Sequence, residues 1–244
     1  MFHRYNLDFS DNIFDELLKI TKFEKITNGR EGAILINDNN IIPLVRSTTK
    51  YNNPVQLFTQ THNNIIKNIK KITNIDNLNF NNALIEIYSN DYKNMGEHSD
   101  QTLDLADNSY ICLFSCYNNP TAKNIRMLKV KNKINNNTND FELDHNSIVI
   151  FSNETNKKYL HKIVLENIMD DALWIGITFR LSKTFIKFIN EIPYFNNSEI
   201  ELKMATTEES KEYYKCRSME NKSIDYIWPE IRYTISESDI INSV

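Results

Sequence analysis

The sequence predicts an α+β protein that is mainly β, a sandwich or barrel of short strands with supporting helices ahead of it and a helical and aromatic extension behind. Three observations predict this. Apolar runs rich in β-branched residues recur between Ala83 and Phe188, each of strand length and bounded by polar residues. Before them, two stripes of isoleucine and leucine recur at helical spacing, and strands that follow two helices point to a sheet core with helical support. Glycine is scarce, at four residues, and asparagine stands where turns are needed, because it tolerates left-handed backbone and hydrogen-bonds its own main chain.

Taken in order, Ser10 or Asp11 caps a helix through about Thr21, whose apolar face is Ile13, Leu17, Leu18 and Ile20. Thr61 caps a second helix through about Ile72, with Ile65, Ile66, Ile69 and Ile72 at helical spacing. Strands are expected at Ala83 to Tyr88, Tyr110 to Cys116, Ile125 to Lys131, Ser147 to Ser152, Leu160 to Leu165 and Leu173 to Phe188. Asn135 to Asn139 reads as a loop between strands, and Asn153 to Lys158 as a polar excursion. After Asn190 the composition shifts. Glu191 to Asn197 looks like an exit loop, and Thr206 or Thr207, followed by Glu208 and Glu209, starts a helix toward Met219. Tyr226, Trp228 and Tyr233 surround Pro229 in an aromatic segment, read as a clamp on the core or a lid over substrate.

Composition narrows the setting. The 244 residues carry a net charge of −4 and are 41% hydrophobic, with no apolar run of membrane-spanning length. Met1 to Asn6 leads into charged residues and does not resemble a secretory signal. Three cysteines make no disulfide framework; Cys112 and Cys116 are expected as packed thiols. A soluble, intracellular protein is expected, with cytoplasm and nucleus undistinguished. No internal repeat is present.

The chemistry lies in His98-Ser99-Asp100, answered by His161 and Arg180. In extended backbone, residues two apart share a face, so His98 and Asp100 converge while Ser99 turns away. His161 enters a strand after a polar excursion and is placed to meet a site built elsewhere in the sheet. Two imidazoles and one carboxylate hold one face of a ferrous octahedron and leave the opposite face open. If Leu173 to Phe188 is one strand, Trp174, Gly176, Thr178, Arg180, Ser182 and Thr184 share a face carrying a single cation, suited to a carboxylate ligand.

From about Ala83 to Phe188 the chain resembles the catalytic core of the AlkB-like iron(II) and 2-oxoglutarate-dependent dioxygenases. Ala83 to Tyr88, a polar loop and His98-Ser99-Asp100 are similar to that family's strand, loop and first two ligands. Phe151 to Ile163 resembles the segment carrying the third, His161, and Thr178-Phe179-Arg180 the end of its Arg-x-Asn-x-Thr-Phe-Arg strand. Ile42-Pro43-Leu44-Val45-Arg46 and Lys50-Tyr51 extend the likeness toward the amino end. The resemblance implies a double-stranded β-helix (jelly roll). Residues 1–190 are then the dioxygenase domain, with helical support over 1–80 and the catalytic core over 81–190, and residues 191–244 an extension packed on the core or forming a lid. It also implies iron(II) held by His98, Asp100 and His161, 2-oxoglutarate contacted by Arg180, Tyr88 and Thr178, and dioxygen as cosubstrate.

Departures are specific. Of two family arginines six apart, the first falls on Trp174 and the intervening asparagine on Gly176; in another register Arg180 is the first arginine and Ile186 stands for the second. Glu86 replaces an asparagine two residues before the tyrosine. Implied activity is C–H oxidation with succinate and CO2 as coproducts, first on alkylated DNA or RNA bases. The acidic balance argues against a broad phosphate footprint, although Lys67 to Lys71 and Lys129 to Lys133 are local basic clusters. A protein or small-molecule hydroxylase is the alternative enzyme reading, and an inactive interaction module retaining the fold the alternative outside enzymes.

Overall fold

Short β-branched and aromatic runs, separated by asparagine turns, form the sheets of a computed structural model that describes all residues except 10, 11, 38–40, 45, 122–124, 167–171, 197, 243 and 244. The first half contains β1 (His3–Asn6), α1 (Ile13–Ile20), β2 (Glu24–Thr27), β3 (Arg30–Ile36), β4 (Ile42–Pro43), β5 (Gln56–Leu57), α2 (Gln60–Thr73), β6 (Asn82–Tyr88) and β7 (Tyr110–Tyr117). The second half contains β8 (Ile125–Asn132), β9 (Thr138–Leu143), β10 (Ser147–Ser152), α3 (Asn153–Lys158), β11 (Tyr159–Glu166), β12 (Trp174–Arg180), β13 (Phe185–Ile189), β14 (Ile192–Phe195), β15 (Lys203–Met204), α4 (Thr207–Lys222) and β16 (Tyr233–Thr234). The fold is mixed α+β with a β-rich core. Among the described residues, no helix is long and apolar enough to cross a membrane.

The large sheet has the order β1-β10-β7-β12-β6-β3-β2, with β5 added beside β3. The smaller sheet, β11-β8-β9, is extended by antiparallel bridges from Asn94 to Val164 and His98 to His161. Strand alternation explains why β7, with layers on both faces, is apolar apart from Ser115 and buried beyond its first residue. Ile111 and Leu113 point to the smaller sheet, where Leu128, Val130, Leu143 and Ile163 meet them. Cys112, Phe114 and Cys116 point the other way, against Ile13, Phe14 and Leu17 of α1 and Ile65 and Ile69 of α2. Leu17 is fully buried, so truncating it to alanine costs about 2–5 kcal/mol. All three cysteines are buried and free of disulfides, as the sequence predicts.

Several elements differ from the sequence reading. Thr59, not Thr61, precedes α2; its backbone N–H donates to His62 Nδ1 at 3.0 Å, and burial pushes the His62 imidazole down to about 4, which keeps it a neutral acceptor. The candidate caps Ser10 and Asp11 lie outside the described residues, as do Val45 and Asn197; the side chain of Asn12 accepts from Asp15 N at the start of α1. Leu173 to Phe188 is not one strand. β12 ends at Arg180, and β13 joins β4 and β14 instead. The break occurs because Ser182 is buried and its Oγ meets Leu44 O at 2.8 Å and Thr184 N at 3.1 Å, so the backbone turns out of the sheet after Arg180; Ser182 still lines the cavity beside Arg180, whereas Thr184 is not among the cavity-lining described residues. Glu191 to Asn197 is not simply an exit loop: β14 pairs with β13 around Asn190 (φ 50°) and Glu191 (φ 64°), the left-handed pair that a two-residue hairpin turn requires. Ahead of the predicted core, β3 pairs with β6 from Arg30 with Tyr88 to Ile36 with Asn82.

Candidate metal centre and cavity

The bridge between His98 and His161 brings together residues 63 positions apart: His98 N donates to His161 O at 3.0 Å, and His161 N to His98 O. Side chains then converge. Asp100 Oδ1 lies 3.8 Å from His98 Nε2 and 3.4 Å from His161 Nε2, and one potential ligand atom from each residue lies within 4.8 Å of the others. Donors on adjacent corners of an octahedral ion stand about 3 Å apart, so small side-chain adjustments would complete the set. His98 Nδ1 is 2.9 Å from Gly96 O; with the proton assigned there, Nε2 is left as the free lone pair. Burial among the site's groups, then the neighbouring His161 imidazole, push His98 below the usual imidazole range. Burial alone would raise the Asp100 carboxyl, but the Arg180 guanidinium and His161 outweigh it and hold Asp100 well below the usual carboxylate range. Neutral imidazoles and an ionised carboxylate are the forms a ferrous ion takes, and the donor set fits iron(II).

The loop holding two of these residues is gripped from α4, a helix whose start at Thr206 follows the expected capping pattern with Glu209. Asn221 Oδ1 accepts from Ser99 N at 3.0 Å and from Ser99 Oγ at 3.1 Å. Arg217 donates to Ser99 O at 2.7 Å, and Glu220 Oε1 accepts from Thr102 N at 2.9 Å and its hydroxyl at 2.5 Å. Tyr213 OH donates to Gln101 Oε1 at 2.6 Å. From the other side, Asn156 of α3 exchanges two 2.7 Å hydrogen bonds with the Asp100 backbone. Lys133 Nζ reaches Ser99 Oγ, Glu220 O and Ser223 O, and burial lowers this amine to about 8. Of the aromatic segment, Trp228 packs 5.5 Å from Tyr213 and 5.7 Å from Tyr226.

A cavity of about 360 Å³ opens between the sheets beside the three ligands. Thr178 and Arg180 line it, as the shared face of β12 predicts. Arg180 Nε donates to Asp100 Oδ2 at 2.7 Å, which turns Oδ1 toward the histidines; among the described residues its two amino groups meet no hydrogen-bond partner. Tyr88 is fully buried, and its hydroxyl donates to Glu86 Oε2 at 2.5 Å. Glu86 is the one in the wall, joined there by Arg30, which ion-pairs with it. Sequence reading missed Arg30, Arg217 and Asn221; the parity of Arg-Glu-Gly-Ala-Ile-Leu-Ile could have placed Arg30 on a strand, whereas α4 carries no local sign of its contacts.

The family model of the 2OG-Fe(II) oxygenase superfamily matches residues 43–180, more than half of the chain, and contains all three ligand candidates. No curated protein sequence matches the chain. Among solved structures, that of OsALKBH1 is similar at 12% identity and a TM-score of 0.51, covering 73% of this chain and 97% of that one. A prolyl-4-hydroxylase from Pseudomonas putida aligns at 10% identity and a TM-score of 0.46, covering 74% and 92%. With the matched family region enclosing a two-histidine, one-carboxylate site at the mouth of the cavity, the chain belongs to the 2OG-Fe(II) oxygenase superfamily and is an oxidoreductase of the dioxygenase class.

Proposed function

We propose that the protein is an AlkB-like iron(II)- and 2-oxoglutarate-dependent dioxygenase that oxidises a C–H bond of an alkylated nucleic-acid base. The observation that carries the reaction class is the convergence of His98, Asp100 and His161 beside a cavity that presents Arg180. These three would hold the ion. Arg180 and Thr178 offer a cation and a hydroxyl to the cosubstrate, while Tyr88 acts through Glu86. The strand order β10-β7-β12-β6 facing the His98 bridge, β11, β8 and β9 supports a double-stranded β-helix. Residues 1–190 then make up the dioxygenase domain and residues 191–244 an extension packed on it.

Bound iron(II) supplies dioxygen chemistry in which one oxygen atom enters the substrate as hydroxyl and the other enters succinate as 2-oxoglutarate loses CO2. The chain's own groups do the positioning. Arg180 orients Asp100, Gly96 O orients His98, and Leu113, Leu128 and Ile163 keep the cavity interior apolar. On an N-methyl carbon, the hydroxylated product releases formaldehyde and the net result is demethylation.

A peptide or small-molecule substrate is the second reading, favoured by where the basic clusters lie. Lys129 pairs with Asp140 and Glu166, Lys133 is engaged under α4, and Lys67, Lys70 and Lys71 sit on α2, which packs on the sheet face away from the cavity. Formaldehyde release from methylated oligonucleotides compared with methylated peptides decides the substrate. Succinate formation with iron omitted, supplied, and supplied to Asp100→Ala decides the reaction class; no oxygen-dependent succinate under any of these would overturn it.

A further inference from the structure

A five-carbon dicarboxylate held by this site, the reading on which this inference rests, needs a cation at each end, and the cavity wall contains Arg30, Arg46, Arg180 and Arg217. Two have both amino groups engaged. Arg46 gives Nε and one amino group to Asp104 and the other amino group to the carbonyls of Ile231 and Tyr233, with its side chain 3% exposed. Arg217 gives its amino groups to Glu220 and Ser99 O, with its side chain 7% exposed. Arg180 stands beside Asp100 and serves the metal end. Arg126, buried on β8, donates to Tyr92 O and Ser89 O behind the Tyr88 and Trp174 rings and is not among the cavity-lining described residues.

Arg30 differs. Nε and one amino group meet Glu86, and that amino group also reaches Thr49 Oγ1 at 3.1 Å. Among the described residues, the other amino group has only the Tyr92 hydroxyl, at 3.5 Å, too long to be a strong hydrogen bond. Its side chain is 16% exposed, and Thr49 and Tyr92, both in the wall, add hydroxyl donors around it.

Register puts this cation at the correct end. Arg180 pairs with Asn82, and Trp174 with Tyr88, which pairs in turn with Arg30. Arg30 thus starts from the rung farthest from the metal and reaches back to Glu86, four residues from Asn82, or about 13 Å along the strand. An extended dicarboxylate plus the reach of two guanidinium groups covers that span. Trp174 decides the route. Its indole lies over Gly176, where a Cβ would meet the ring, and donates to Ser115 Oγ at 2.7 Å. The β12 side is closed at this level, which leaves the path over Leu84 toward Arg30.

We propose that Arg30 holds the distal carboxylate of the cosubstrate, with the Thr49 and Tyr92 hydroxyls beside it, so that a strand outside the family-matched residues completes the cosubstrate site. The pairing suits arginine, whose planar fork can keep Glu86 on one edge and take a second carboxylate on the other.

The test is binding under anaerobic conditions, read from the charge-transfer absorbance of the iron(II) protein titrated with 2-oxoglutarate and with 2-oxopentanoate, which lacks the distal carboxylate. Arg30→Met should weaken 2-oxoglutarate at least tenfold and leave 2-oxopentanoate within twofold. Equal weakening of both acids, or unchanged 2-oxoglutarate affinity, overturns the proposal. If Arg30→Met fails to fold, Arg30→Lys decides: a reduced preference for 2-oxoglutarate over 2-oxopentanoate supports it, and an unchanged preference overturns it. Wild type binding the two acids equally refutes this inference alone, whereas wild type binding neither refutes the cosubstrate reading itself.

Discussion

Arg180 Nε and Asp100 Oδ2 are joined at 2.7 Å, and this single contact divides the labour of the Asp100 carboxylate. One oxygen is committed to the guanidinium; the other faces His98 and His161. Because Asp100 is buried, its charge depends on that guanidinium, and the proposed cosubstrate cation and the candidate metal ligand are mechanically one unit.

Arg180→Met should therefore weaken iron(II) binding as well as cosubstrate binding. Groups that orient a ligand typically contribute about 10–100-fold to metal affinity, and a loss in that range is expected from anaerobic iron(II) titration without cosubstrate. Arg180→Lys should recover part of it. Unchanged iron(II) affinity in Arg180→Met would mean that Asp100 is oriented by other contacts.

Asn221 offers a second handle on the same centre, from 122 residues away. Asn221→Leu leaves the buried Ser99 N–H without its acceptor and deprives the Ser99 hydroxyl of the same oxygen, at about 1–3 kcal/mol for each unsatisfied group. In a chain of this size that lowers the unfolding midpoint by roughly 5–10 °C. Iron(II) affinity should fall with it, since Ser99 separates two ligands, while Asn221→Asp keeps an acceptor and should lose less of both. A lower midpoint with unaltered iron(II) affinity would separate α4 from the metal loop.

Much of the site is legible because local geometry carries it, the exception being the bridge that brings His161 to His98. His98 and Asp100 are two apart in extended backbone, His161 lies near the start of β11, and Thr178 and Arg180 share a face of β12. What escaped is long-range. Arg30 meets Glu86 across 56 residues and Tyr213 meets Gln101 across 112, and no spacing rule connects such pairs. Leu173 to Phe188 looked continuous because propensity alone does not show that the Ser182 hydroxyl serves backbone groups of two segments. Neither Thr59 nor Thr61 has the usual glutamate or glutamine three residues on, so the pattern does not single out the cap that the structure uses.

Gly176 makes room for a ring two residues back on the same strand. A methyl group there would land on the Trp174 ring, forcing the indole from its contact with Tyr88, whose ring centroid is 4.9 Å away, and from Ser115 Oγ. Gly176→Ala should destabilise the fold by about 1–3 kcal/mol, as overpacking does. In a Trp174→Leu background the same change should cost distinctly less, so a double-mutant cycle in denaturant should show coupling above about 0.5 kcal/mol. Additive effects would mean that the ring can move aside freely.

Asp239 provides the pH dependence. Its side chain is buried, and burial pushes the carboxyl up to about 7, against the hydrogen bond from Thr234; Asp104 adds to the rise and Arg46 opposes it. A raised acid binds its proton more tightly when folded than when unfolded, so its penalty is absent below about pH 4, where both states are protonated. As pH climbs toward 7 the unfolded chain ionises first, and this group removes stability at up to about 1.4 kcal/mol per pH unit. Above about 7 both states are ionised and the loss levels off. Asp239→Asn abolishes the titration, so its stability relative to wild type should improve from pH 5 to about pH 7 and then level off in denaturant unfolding; a difference that stays constant from pH 5 to pH 7 would show that Asp239 does not carry a raised pKa.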